Sequence, residues 1–257
     1  MKVEFLFLLL ILTSCSSLLT SGSPKEVKRH YSFTDGSGKF VLSREHNLLK
    51  TKLITRTQIS SNQGSALKPL EKSIMVSQLG TVKENNNRVL VTRPYASEFT
   101  VWLEGKRYDS KIRLDIKSKS MLVELNSPEE KWNGKSSIPV PKGKQFCFFS
   151  QIPDCLYHNL LLTKAKERKG EIMPFYVVWE GYPYIQEQFS GVGTKLFAPA
   201  TVKFDGEVKS LLRFLVEVEG QNIVYHFSKS YDLVRMFWIA QGISVVPPNE
   251  EISDVEE

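Results

Sequence analysis

Ser65-Ala66-Leu67-Lys68 has the spacing in which a lysine one helical turn beyond a serine can activate its hydroxyl as a nucleophile. That chemistry needs both side chains on one helical face. Here Pro69 follows at once and the flanks are polar and glycine-containing. The Ser-Asp-Asn and Lys-Thr-Gly partners of such a site are also missing from the chain. Gly191-Val192-Gly193-Thr194 lacks both the Lys-Ser/Thr of a phosphate loop and the third glycine of a dinucleotide turn. The four histidines, His30, His46, His158 and His226, are scattered, and no His-Glu-x-x-His pairs any of them. His226 alternates with Tyr225 and Phe227, which places it on the opposite face of a strand from them. These residues predict no catalytic site, no metal site and no cofactor.

The segment QFCFFSQIPDCLYH carries Cys147 and Cys155, eight residues apart. In an exported chain such a pair closes as a disulfide. The loop is short, so the chain-entropy model assigns it about 2–3 kcal/mol. Free buried thiols are the alternative. A Cys-Cys-His metal site with His158 is a third reading, but it needs reduced thiols and a fourth ligand, neither of which is evident.

The elements that position these residues are strands. Leu53, Thr55, Thr57 and Ile59 alternate with Lys52, Ile54, Arg56 and Gln58; Phe99, Val101 and Leu103 form a second run, ended by the turn-like Glu104-Gly105. Ile112, Leu114 and Ile116 alternate with charged residues, and Met121–Leu125 adds a further strand. The two prolines between Lys135 and Lys144 predict an extended loop there. Val202 and Phe204 precede Asp205-Gly206, a hairpin signal. Leu212 to Val218, Ile223 to Phe227, Leu233 to Ala240 and Ile243 to Val246 then follow, separated by EGQN, KSYD and Gln241-Gly242. One helix is predicted, with Asp154 as N-cap, Leu156, Leu160 and Leu161 as apolar face, and Gly170 as stop. Phe175–Ile185 is apolar in both phases and reads as a strand packed in core on both sides, with a strand that turns one side to a ligand as the alternative. The expected fold class is mainly β: an antiparallel meander forming a sandwich or open half-barrel, with one short helix.

At the N-terminus, Phe5–Leu12 is an unbroken apolar run, far short of the roughly 20 residues a membrane-spanning helix requires but matched to a secretory signal. Leu12-Thr13-Ser14-Cys15 resembles the lipobox of bacterial lipoproteins, which implies acylation of Cys15 after cleavage. The small, polar stretch that follows Cys15 suits a flexible tether. Ser16, where that family's inner-membrane members carry Asp, implies the outer membrane, facing the periplasm; secretion without an anchor is the alternative. The expected organisation is a signal peptide over 1–14, a lipidated tether over 15–26, one β-rich domain over 27–247 and an acidic disordered tail over 248–257.

Composition fits a globular body, with 41% hydrophobic and 24% charged residues. Net charge is +6, and the tail from Pro248 holds five acids and no base, so the remainder is more basic still. A basic exported body suits phospholipid headgroups or other anionic envelope components as neighbours, and not nucleic acid. A lipidated, basic, mostly antiparallel β body loosely resembles the half-barrel proteins that carry or receive lipoproteins in Gram-negative envelopes. That resemblance implies an apolar cavity enclosed by a curved sheet, and a non-enzymatic role in binding a lipid or other hydrophobic ligand. An envelope scaffold that docks a protein partner without ligand is the second expectation, and a periplasmic hydrolase the third.

Overall fold

The period-two alternation of the sequence becomes one continuous hydrogen-bonded ladder. A computed structural model describes residues 25–61, 67–84, 87–143 and 145–248. The N-terminal half is a run of antiparallel strands: β1 (Lys25–Asp35), β2 (Gly38–Leu48), β3 (Lys52–Ser61), β4 (Lys68–Glu84), β5 (Asn87–Leu103), β6 (Lys106–Asp115), β7 (Ser120–Asn126) and β8 (Gly134–Pro139). A short β9 (Phe146–Phe148) leads into the helices α1 (Ile152–His158) and α2 (Leu161–Glu167), then β10 (Met173–Val178) and a single turn, α3 (Tyr184–Glu187). The chain closes with a meander: β11 (Phe197–Val208), β12 (Leu211–Val218), β13 (Gln221–Phe227), β14 (Leu233–Trp238) and β15 (Ile243–Val246). All belong to one 15-stranded sheet, ordered β8 through β1, then β15 down to β9. It is mainly antiparallel, with β9–β10 the parallel pair, and it is not closed into a barrel.

The two halves join where β1 pairs with β15, through Ser32–Val246, Phe33–Val245 and Thr34–Ser244. Beyond this seam the sheet folds over on itself. Inward residues of β5 and β6 (Phe99, Val101, Tyr108) share one core with inward residues of β12 and β13 (Phe214, Val216, Tyr225). Strands β9 and β10 are mostly buried on both faces, but the strand expected over Phe175–Ile185 ends at Val178: residues 179–183 turn, as Gly181 and Pro183 favour, and Tyr184–Glu187 is helical. Val177 and Ala198 belong to the core that includes Leu161, Leu162 and Ala165 of α2. Phe148, Val178 and Phe197 pack with Met75, Ile112, Met121 and Val123 of the N-terminal half. Buried apolar surface on this scale, at roughly 25 cal/mol per Å2, is what holds the fold.

Three further segments depart from the sequence expectation. Asp205-Gly206 is not a hairpin turn but a β-bulge inside β11, where the register slips between Phe204 and Gly206. The turn falls at Lys209-Ser210, both with positive φ (48° and 68°), as a two-residue hairpin of the favoured hand demands. Residues Gly134–Pro139 form an edge strand rather than loop: Pro139, opposite Ser120, lacks no ladder bond because β8 has no neighbour on its far side. The predicted helix is present but broken. Leu160 takes a left-handed φ of 58° and is exposed, which splits the segment into α1 and α2. The helix also starts earlier than Asp154, because Pro153 is pre-organised for its first turn.

Candidate functional site

The fold-over leaves a cavity of about 540 Å3 between the inward faces of β1–β5 and β13–β15, floored by the segment leading into α1. Its walls carry aromatic side chains from both halves of the chain: Phe33 and Phe40 from β1 and β2, Phe149 and Phe189 from loops, Tyr225 from β13, and Trp238 from β14. Phe149 stacks on Trp179 with centroids 4.6 Å apart and lies 5.4 Å from Trp238, which meets Phe189 at 4.8 Å. This cluster makes a rigid apolar floor. The exposed lining residues Gly36, Ser37 and Gln188 mark the mouth. There Asp35 is occupied with its own turn, accepting from Ser37 N (2.7 Å) and Gly38 N (3.2 Å).

Three groups set the electrostatics. Arg44, 6% exposed, is the cation of the lining and is bound to Asp154 of α1. His46 stands 4.0 Å from the same carboxylate, and burial pushes its pKa down more than Asp154 raises it. Glu71 lies on the inward face of β4, opposite Ile59 of β3 and Val101 of β5, which also line the cavity. Burial, and secondly the Glu180 carboxyl, push its pKa up to about 8. Among the described residues, no side chain or backbone group lies within hydrogen-bonding range of its carboxyl.

Glu180 is a different kind of carboxyl. It is 1% exposed, does not line the cavity, and accepts from the backbone N–H groups of Phe149 and Ser150, each at 3.0 Å. Burial raises its pKa while those hydrogen bonds oppose the rise. Its work is to hold the Phe149–Ser150 turn that floors the cavity. Of these two carboxyls, Glu71 is the one that lines the cavity.

The segment behind the floor docks onto the N-terminal strands through polar contacts. Gln151, fully buried, accepts from Ser77 (2.6 Å) and donates to Thr55 (3.1 Å) and to the Met75 carbonyl (3.2 Å). Asn159, at the end of α1, accepts from the Thr92 backbone N–H at 2.6 Å. A Thr57–Ser73 hydrogen bond of 2.6 Å lies beside them. Polar groups buried in this way are satisfied by one another, which fixes where the segment sits.

Cys147 and Cys155 are joined as a disulfide with a Cα–Cα distance of 5.7 Å, and both are buried. The bond ties β9 to α1, and it excludes the thiolate-and-His158 metal reading. Among the described residues no group of three or more His, Cys, Asp or Glu side chains converges as a metal site. Gly193, of the glycine-rich stretch, donates its N–H to Glu219 at 2.6 Å, so that loop serves the structure. His226 lies on the outer face, away from Tyr225 and Phe227 as its phase predicts, with its ring 5.9 Å from that of Phe237. Cys15, Ser65 and the acidic tail beyond Pro248 lie outside the described residues. Among those described, no helix is long and apolar enough to cross a membrane.

With this geometry in place, comparisons with protein-family models, with known proteins and with solved structures were made, and nothing matches the chain in any of the three.

Proposed function

We propose that the protein is a non-enzymatic binding module that takes a lipid or another hydrophobic small molecule into the cavity between its two sheet halves. One observation carries this reading: the cavity of about 540 Å3, with walls that are mostly aromatic and aliphatic. That volume lies within the range of small-molecule sites, which are concave, largely apolar and furnished with a few polar groups for orientation. A sheet built only as a scaffold gains from filling such a space with side chains, because an empty cavity costs stability in proportion to its volume. The lipobox-like Leu12–Cys15 extends the proposal to location. A lipid anchor at Cys15 would hold the module at the outer membrane, within reach of amphiphiles and of envelope protein partners.

The test is native mass spectrometry of the gently purified protein, followed by displacement of an apolar fluorescent probe. A stoichiometric adduct of lipid size, lost on denaturation, together with saturable probe binding is the expected result. A clean apo mass with no probe binding would overturn the proposal. Trp238 supplies an internal check, since a bound ligand would alter its fluorescence.

A further inference from the structure

Resting on that reading, we infer that the cavity selects amphiphiles with a protonated amine head, and that Glu71 is the group that receives it. The cavity's lining holds one cation, Arg44, and Asp154 already takes it up. What faces the lumen is therefore the Glu71 carboxyl, without a partner, flanked by Ile59 and Val101 in a cavity whose other walls carry aromatic rings. Aromatic faces attract cations through their quadrupoles, and a carboxylate beside them completes a site for an ammonium group on an apolar body. A carboxylate-headed ligand would meet the opposite situation. Its charge would enter beside Glu71, with Glu180 behind it and Arg44 not free to help.

The cost of ionising Glu71 in an empty cavity gives the inference a measurable signature. The charged or titratable groups around it are Glu180 behind the floor, the Arg44–Asp154 pair with His46 on the β2 wall, Tyr225 on the β13 wall and Asp35 at the mouth. Only Glu180 acts on it appreciably, and in the direction that keeps Glu71 protonated. An arriving ammonium keeps its own proton, while Glu71 gives its proton up to solvent and becomes the anion of the pair. Binding near neutral pH therefore releases a proton, and affinity rises with pH until the empty carboxyl is already ionised, near pH 8.

The experiment is isothermal titration of the purified protein with dodecylamine, dodecanol and dodecanoate below their micellar concentrations, at several pH values and in buffers of different ionisation enthalpy. Dodecylamine is expected to bind at least about tenfold more tightly than dodecanol, as a hydrogen bond to a charged partner implies. Its binding should release a proton at pH 7. In Glu71→Gln, shown by near-ultraviolet circular dichroism to be folded, the amine-to-alcohol ratio should fall to about one and the proton release should vanish. Equal binding of amine and alcohol, or a ratio that survives Glu71→Gln, would overturn this inference and leave the cavity reading standing. Preference for dodecanoate that strengthens as pH falls would also overturn it, with Glu71 then acting as a neutral donor. Failure of all three to bind would sink the cavity reading itself.

Discussion

Glu71 is costly where it stands. An acid whose folded-state pKa is raised binds a proton that the unfolded chain has already lost, so stability falls as pH climbs between the ordinary glutamate value and the raised one. With Glu71 at about 8, that window runs from roughly pH 4.5 to 8. Glu71→Gln removes the liability. The variant is expected to gain stability over the parent progressively across this window, by at most about 1.4 kcal/mol per pH unit, and to hold a constant advantage above it. Urea denaturation of both proteins at pH 5, 7 and 9 checks the sign: an advantage that shrinks with pH contradicts it. The Arg44–Asp154 pair makes the contrary case, since both charges are compensated. Arg44→Met leaves Asp154 mostly buried beside a lowered-pKa His46, and a loss of about 3–5 kcal/mol in the same assay is expected. Neither residue is visible in the sequence. The run Glu71-Lys72-Ser73-Ile74-Met75-Val76-Ser77 shows why: hydropathy favours the Ile74 and Val76 phase as the inward one, yet Ile74 is 39% exposed while Ser73 and Ser77 are buried. The N-terminal strands face inward with hydroxyls because the segment they receive is polar, and that partner is distant in sequence.

At the level of elements, α1 and the turn before it behave as a plug held at three points. The disulfide fixes its middle, at Cys155, to β9, Gln151 fixes its start to β3 and β4, and Asn159 fixes its end to β5. Gln151→Leu keeps the volume but strands Ser77, Thr55 and the Met75 carbonyl. A loss of about 1–3 kcal/mol is expected, read by thermal or chemical unfolding, and no change would argue that the network contributes nothing net. Replacing Cys147 and Cys155 together by serine should cost about 2–3 kcal/mol on the same scale. The pairing of these cysteines was legible from their spacing and the C-terminal meander from its alternation. The broken helix was not, because Leu160 has no residue-type signature of a left-handed position. The bulge at Gly206 reads as a turn in the sequence because glycine serves both.

At the scale of the molecule, fifteen strands in one sheet leave two edges, β8 and β9, with very different protection. β9 is buried under helices, whereas β8 is exposed along most of its length. Native-state hydrogen exchange is expected to be fastest in β8 and slowest in β12 and β13, whose inward residues are fully buried; the reverse order would mean that the core lies elsewhere. The mainly β architecture followed from the alternation alone. The cavity did not, because it depends on where two sheet halves stop touching, and no local pattern encodes that distance.

The seam between β1 and β15 bears on how the protein is made. Phe33 and Phe40, on one side of the lumen, belong to the first strands synthesised after residue 25, while Tyr225, Trp238 and Val245, on the other, belong to the last. A nascent chain can lay down β1 to β8 as successive neighbours while translation continues, each pairing at short loop-closure cost. The enclosure itself waits for β15, so the first wall exists, more than two hundred residues earlier in the chain, before there is an inside for anything to occupy.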